Sequence, residues 1–181
     1  LLEANKLISL KYFFINLSLN DSDQGIYAVE EGFSKELIER NKKRNGPIFG
    51  LEETSGIIYP DVKYDLYSKK YWEDNQGELI KIALLKLEKL KHNKTNIGEI
   101  FDMGKWATFF AVIDLSHTLH GSLSKSVKLY YNPINGLFEP IPYDGHRLKP
   151  NYHKYNLNYD DRILIDIIDN PINPDEVEGT K

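Results

Sequence analysis

Apolar residues recur at strand and helix spacings along this chain, and the spacing predicts where its elements lie. Residues 7–19 are largely apolar, aromatic or β-branched, and residues 26–29 form a second apolar run. The intervening residues 20–25, Asn-Asp-Ser-Asp-Gln-Gly, are turn formers. This order predicts a strand, a turn and a second strand.

Two helices are predicted in the next part of the chain. Ser34 is a candidate N-cap of a short helix with Leu37 and Ile38 on one face, and this helix ends at the breaker Asn-Gly-Pro of residues 45–47. Residues 48–74 are rich in aromatic side chains but show no period, so irregular chain with short extended pieces is predicted there. Residues 78–90 have apolar side chains at helical spacing, which predicts an amphipathic helix with its apolar face in the core.

A buried helix is predicted after Asp102, which is a candidate N-cap. Its broad apolar stripe consists of Trp106, Phe109, Phe110 and Ile113. The helix is expected to end near His120 and Gly121, because glycine suits the left-handed conformation after a helix. His117 and His120 lie three residues apart at this end. A zinc pair would need one or two further ligands, and no neighbouring residues show such a pattern.

A β-hairpin is predicted after this helix. Residues 127–131 and 137–141 are mostly apolar, and they flank Asn-Pro-Ile-Asn-Gly at residues 132–136, the composition of a five-residue hairpin loop. Prolines at positions 140 and 142 predict that the second strand lies at a sheet edge or ends early.

An acidic residue follows this hairpin directly. Asp144 precedes Gly145, which lets the backbone turn sharply and leaves the carboxylate exposed to a ligand. Phosphoryl transfer needs carboxylates that are held rigidly around magnesium and a nucleotide, and Asp144 is placed for that role. The alternative is that Asp144 and Gly145 form a simple turn.

Composition and charge narrow the classes of function. The 181 residues are 41% hydrophobic with well-mixed charge, which predicts one globular domain. The chain has no cysteine, and this excludes disulfides, thiolate catalysis and thiolate metal sites. A net charge of -4 gives no reason to expect a nucleic-acid partner. The sequence contains no uninterrupted apolar stretch that is long enough for a transmembrane helix, so none is predicted.

Two segments resemble the CotH proteins, the bacterial spore-coat-protein-H type kinases. FDMGKWATFFAVIDLSHTLHG, followed by SLSKSVKLYYNPINGLFEPIPYDGH, is similar to the C-terminal half of that family. FINLSLNDSDQGIYAVEEGFSKELIERN resembles an earlier family hairpin, in which a Gly-x-Tyr-x-x-x-Glu pattern leads into a helix; here these residues are Gly25, Tyr27 and Glu31. The resemblance covers residues 12–53 and 100–147. It implies that residues 1–181 form a single, partial domain whose N-terminal part is missing.

The resemblance implies an α+β, protein-kinase-like fold of antiparallel hairpins packed with helices. Such a domain binds ATP and magnesium and phosphorylates serine or threonine of a protein partner. Asp144 would be the metal ligand, and Glu31 would order the lysine that grips the phosphates unless it is a capping or surface residue. His120 would orient the loop before the hairpin. His120 and Asp114 are the candidates that position the acceptor hydroxyl and accept its proton, and a structural role for Asp114 stays open.

The chain departs from the family pattern at two positions. Ser126 stands where relatives commonly have asparagine, and its hydroxyl is a poorer magnesium ligand. Gly50 stands where they often have lysine, so Lys125 or Lys128 would have to bind the phosphates. A second hypothesis is therefore a catalytically inactive pseudokinase that serves as an interaction module at a cell or spore surface. A third is a carbohydrate-binding or attachment domain, suggested by 12 tyrosines.

Overall fold

Two antiparallel sheets and three α-helices make up the part of the chain that the computed structural model describes, residues 1–51, 64–92, 94–123 and 126–145. The α+β prediction is therefore confirmed. The helices are α1 Lys35–Arg40, α2 Lys69–Lys91 and α3 Met103–Ser116. The strands are β1 Tyr12–Leu19, β2 Ser22–Glu30, β3 Ile48–Leu51, β4 Tyr64–Leu66, β5 Lys128–Asn132 and β6 Leu137–Ile141.

Strands β1 and β2 form a two-stranded ribbon, as the sequence predicts, but its turn is shorter than expected. Asn20 and Asp21 alone make the turn, with φ of 51° and 61°, which is the pattern of a type I′ hairpin. The predicted turn residues 22–25 belong to β2, and β1 begins at Tyr12 rather than at residue 7. The register shifts beside Gly25, whose φ of 80° accommodates a bulge.

The second sheet has four strands in the order β4-β3-β5-β6, and β3, β5 and β6 are buried on both faces. Alternate residues of β3, β5 and β6 pack against α2 and α3, among them Phe49, Leu129 and Phe138. The intervening residues pack against α1 on the other face, among them Ile48, Tyr130 and Ile141. Strand β6 lies at the sheet edge, so the expectation from its prolines is confirmed. The connecting loop is shorter than predicted, because Asn132 still pairs with Leu137.

Helix α3 packs against the edge strand β6 and is hydrogen-bonded to it. The Asp102 side chain accepts a hydrogen bond from the Lys105 amide at 3.1 Å, which confirms the predicted N-cap. The Trp106 indole donates to the Phe138 carbonyl at 3.1 Å. The helix ends earlier than predicted, because His117 takes the left-handed position with φ of 56°. Residues Leu119–Ser122 form a separate one-turn 3₁₀ helix, so Gly121 does not end α3.

Helix α2 begins at Lys69, nine residues before the predicted start. In the first part of this helix, Trp72 is the residue that packs into the core. A single buried residue produces no apolar period in the sequence. The backbone at Gln76 is not helical, with φ of -146°, and this kink separates the first part from the predicted amphipathic part. None of the helices in the described ranges is long and apolar enough to cross a bilayer. The sequence has one more apolar segment at residues 163–168, which lies outside the described residues.

The chain between α1 and β3 packs closely on β5. Helix α1 buries Leu37 and Ile38 completely, as predicted from the sequence. After the helix, the Tyr130 hydroxyl donates to the Arg44 carbonyl at 2.5 Å. A Cβ atom at Gly46 would lie 2.2 Å from the Tyr131 carbonyl oxygen, so no other residue fits there without backbone movement. This contact fixes the end of α1 against the middle of the sheet.

Candidate functional site

The turn after α3 meets the residues that follow β6, and this contact brings His120 and Asp144 together. The His120 Nδ1 atom lies 3.0 Å from the Asp144 carbonyl oxygen and 3.2 Å from its carboxylate Oδ2. The buried Ser126 hydroxyl lies 3.4 Å from the same ring nitrogen. Ser126 and Asp144 both contact the Nδ1 atom of His120. The three side chains therefore do not form a serine–histidine–aspartate relay, which uses both ring nitrogens. The arrangement instead holds Asp144 in place.

The backbone at Asp144 has φ of 51°, a left-handed conformation that costs free energy for most residues but is tolerated best by asparagine and aspartate. Gly121 allows the two segments to approach. An added Cβ atom there would lie 3.1 Å from the Gly145 Cα atom and 3.3 Å from the Tyr143 carbonyl oxygen. The glycine that the sequence suggested for a helix end thus serves the contact between the turn and Asp144.

We expect Gly121→Ala to lower the free energy of unfolding by about 1 to 3 kcal/mol, because the new methyl group would press on the backbone around Asp144. Urea denaturation measures this loss. The matched control is Gly32→Ala, since a Cβ atom at Gly32 meets nothing within 4 Å. The control should stay within about 0.5 kcal/mol of the wild type. Equal stabilities of the two variants would contradict this role of Gly121.

Lys128 lies beside this group, on the face of the sheet that α1 covers. It is 6% exposed, and its ammonium nitrogen lies 5.3 Å from the centre of the Tyr143 ring and 5.9 Å from that of Phe33. Its Cδ atom would lie 3.7 Å from a Cβ atom added at Gly50. The lysine of β5 therefore fills space beside the position where the resemblance led us to expect a lysine on β3.

The base of the β1–β2 ribbon also reaches the site. Burial raises the pKa of Tyr143, and the charges of Glu30 and Asp144 raise it further. Tyr12 is 59% exposed, but partial desolvation and a hydrogen bond to Glu30 raise its pKa, with a smaller effect from Asp144. Tyr143, Phe33 and Tyr12 were missed by the sequence analysis. The position of Tyr143 next to Asp144 was the one available signal, since contacts of Phe33 and Tyr12 with the site arise from tertiary folding.

A cleft of about 300 Å³ shares Phe33 with the surroundings of Lys128, and its lining includes neither His120 nor Asp144. Its aromatic walls come from Phe33, Tyr67 and Trp72, and the Phe33 and Tyr67 ring centres lie 4.8 Å apart. The hydroxyls of Ser34 and Ser68 supply polar groups at its wall. Phe33 is thus shared between an aromatic cleft and the aromatic surroundings of Lys128.

Two predicted site residues lie elsewhere. Glu31 accepts hydrogen bonds from the Arg40 side chain at 3.0 Å and from the Lys11 amide at 3.0 Å. The Arg40 guanidinium holds the pKa of Glu31 below its ordinary value. The Asp114 side chain is exposed on α3. None of the contacts found in the described ranges joins Glu31 or Asp114 to His120 and Asp144, and their catalytic roles stay predictions.

The donor set at Asp144 suits one kind of metal ion. Among the described residues, no group of three or more histidine, aspartate or glutamate side chains could hold a metal ion alone. Magnesium is often bound by one or two carboxylates, with phosphate and water oxygens completing its shell. The Asp144 side chain is 45% exposed, so its carboxylate can meet such a complex. A zinc pair at His117 and His120 gains no third ligand in this part of the chain.

Comparisons with known proteins identify the family. No curated protein matches the chain. The family model described as CotH kinase protein matches residues 1–165, which includes both segments that carried the resemblance. The match covers most of the 181 residues. The chain therefore belongs to the CotH kinase family.

Proposed function

We propose that this chain is part of a kinase-like domain that binds ATP with magnesium and transfers the terminal phosphoryl group to a serine or threonine of a protein partner. The observation that carries the proposal is the placement of Asp144. His120 and the turn at Gly121 hold it at the end of β6, with the cation of Lys128 nearby. Membership of the CotH kinase family supports the reaction class.

Catalysis of phosphoryl transfer depends mainly on positioning and on electrostatic stabilisation. Asp144 would bind the magnesium ion, and Lys128 would bind phosphate oxygens. His120 would orient the Asp144 carboxylate, and the buried Ser126 hydroxyl, 3.4 Å from the His120 Nδ1 atom, would orient His120. When bound, magnesium supplies positive charge that offsets the charge of the transferring phosphoryl group. The cleft beside Phe33 offers aromatic surface for the rest of the nucleotide.

We expect magnesium and ATP together to raise the melting temperature of the protein, and Asp144→Asn to abolish this effect. Ligand at 100 times its Kd stabilises a protein by about 2.7 kcal/mol. For a domain of this size, that corresponds to about 5 to 10 °C. Asparagine keeps the shape of the side chain and tolerates the left-handed backbone, so this variant removes the charge with little strain. Thermal unfolding with and without nucleotide measures both values.

The matched control is Asp74→Asn, which makes the same chemical change at an exposed position on α2. This variant should respond to nucleotide like the wild type. A well-folded wild-type protein without any response to ATP would contradict the proposed nucleotide binding. If nucleotide raised the melting temperature of Asp144→Asn as much as that of the wild type, the role of Asp144 would be contradicted, but nucleotide binding would not.

A catalytically inactive pseudokinase is the second candidate. It is favoured by the finding that the described residues form no group of three or more metal-binding side chains. It is also favoured by the burial of Ser126, which is 1% exposed and lies against His120. In that case the fold serves as an interaction module at a cell or spore surface. Transfer of radiolabelled phosphate from ATP distinguishes the two candidates. Nucleotide binding without labelling of any protein, the chain itself included, would favour the pseudokinase.

A further inference from the structure

The β1–β2 ribbon has an outer edge on each strand that no other strand covers in the described ranges. Large apolar side chains of β1 stay exposed: Tyr12, Phe13, Phe14, Ile15 and Leu19. A two-stranded ribbon is marginally stable by itself, and a third or fourth strand stabilises it. An uncharged, apolar edge strand is also a template for pairing with another chain.

The two edges of the ribbon differ. Strand β1 contains no charged residue, proline or glycine. Each of its residues has a partner on β2, so β1 itself has no bulge. Strand β2 carries Asp23 and Glu30, and the register shift leaves Gln24 as an extra residue beside Gly25. Bulges and charges protect an edge against pairing. The edge of β1 is therefore the one suited to accept a strand.

The hydrogen bonds inside the ribbon show which groups of β1 face outward. The Glu31 amide donates to the Lys11 carbonyl at 2.9 Å, so Lys11 directs its carbonyl toward β2. Inward and outward groups alternate along an antiparallel strand. The amides and carbonyls of even-numbered residues thus face outward, namely Tyr12, Phe14, Asn16 and Ser18.

Charge and side-chain pattern select a partner and a register. A second copy placed about a twofold axis through Asn16 brings outward groups opposite outward groups, for example Phe14 opposite Ser18 of the second copy. On the other face, Ile15 comes opposite Leu17 of the second copy. Strand β1 carries no charged side chain, so no like charges meet across the axis. Pairing through β2 would instead bring Asp23 near Glu30 of the second copy.

From this pattern we propose that the β1 edge pairs with the β1 edge of a second copy of the chain. The product is a four-stranded antiparallel sheet in the order β2-β1-β1-β2, with Asn16 opposite Asn16. This inference is independent of nucleotide binding and phosphoryl transfer. In this dimer, the exposed apolar residues of β1 pack against the same residues of the second copy.

Sedimentation equilibrium over a range of concentrations tests the pairing. The wild-type chain should form a dimer, and Asn16→Lys should weaken dimerisation about tenfold or more, because two cations would face each other across the axis. Asn16→Asp should do the same. An equimolar mixture of the two variants should restore the dimer, since the opposite charges then meet.

The matched control is Gln24→Lys, which adds the same charge on β2 and should leave dimerisation unchanged. Circular dichroism and thermal unfolding verify that each variant is folded, and Asn16 is exposed, so no loss of stability is expected. A wild-type chain that stays monomeric would overturn the proposal. A dimer that persists in Asn16→Lys, or a mixture that does not restore pairing, would overturn the register and with it the interface.

Discussion

Replacing Glu139 by alanine is expected to lower the free energy of unfolding by about 3 to 5 kcal/mol. Glu139 lies on β6 and is 3% exposed, and its Oε2 atom lies 2.5 Å from the Lys43 ammonium. Its Oε1 atom accepts a hydrogen bond from the Asn132 amide group at 2.8 Å. The substitution would leave a largely buried cation without its carboxylate, and this uncompensated charge is the main cost. Urea denaturation measures the change.

The exposed pair of Lys35 and Glu39 on α1 provides the control. Its side chains are 48% and 53% exposed, with 3.3 Å between the charged atoms. Glu39→Ala should cost less than about 1 kcal/mol, because water already screens this pair. Replacing Lys43 and Glu139 together, by Met and Leu, should recover much of the loss, since no lone charge remains. If Glu139→Ala and Glu39→Ala lowered the free energy of unfolding equally, burial of the ion pair would not explain the loss in Glu139→Ala.

Replacing Trp106 by alanine is expected to cost about 3 to 5 kcal/mol. The side chain is 1% exposed, and its ring packs edge-on against Phe101 at 5.3 Å and Phe109 at 5.6 Å between centres. Its indole also donates to the carbonyl of Phe138. Alanine would leave a cavity between α3 and the strand that precedes Asp144. The free energy of unfolding from urea denaturation gives the cost.

Two further substitutions separate packing from hydrogen bonding. Trp106→Phe keeps an aromatic ring, and the Phe138 carbonyl keeps the Asp102 amide as a donor at 3.0 Å, so this variant should lose less than the alanine variant. Leu115→Ala lies on the same helix at a residue that is 72% exposed, and it should stay within about 0.5 kcal/mol of the wild type. A loss from Leu115→Ala as large as that from Trp106→Ala would contradict the packing argument.

Elements with strong local signals were predictable from the sequence. The cap at Asp102 and the apolar stripe after it identified α3, and Leu37 and Ile38 identified the buried face of α1. Pro140 on β6 and Pro142 just after it predicted an edge strand, because proline lacks the amide hydrogen that an inner strand needs. These signals involve residues a few positions apart, so the sequence alone expresses them.

Other features depend on contacts that the local sequence does not express. The first part of α2 has one core residue, Trp72, so it shows no helical period. His117 adopts the left-handed conformation where a glycine was expected, and Gly121 is needed for a contact with a segment more than twenty residues away. Chain order suggested Asp144, but its contact with His120 arises from tertiary packing. For the same reason, nothing local predicted that Glu31 would pair with Arg40.

The close packing at Gly46 restricts how this sequence can vary. Any larger residue at that position would collide with the backbone of β5, and a backbone carbonyl cannot change rotamer to make room. The neighbouring side chain of Arg44 is exposed and carries no such restriction. A library of variants selected for folding should therefore retain glycine at position 46 while position 44 varies, although both positions belong to one short connection.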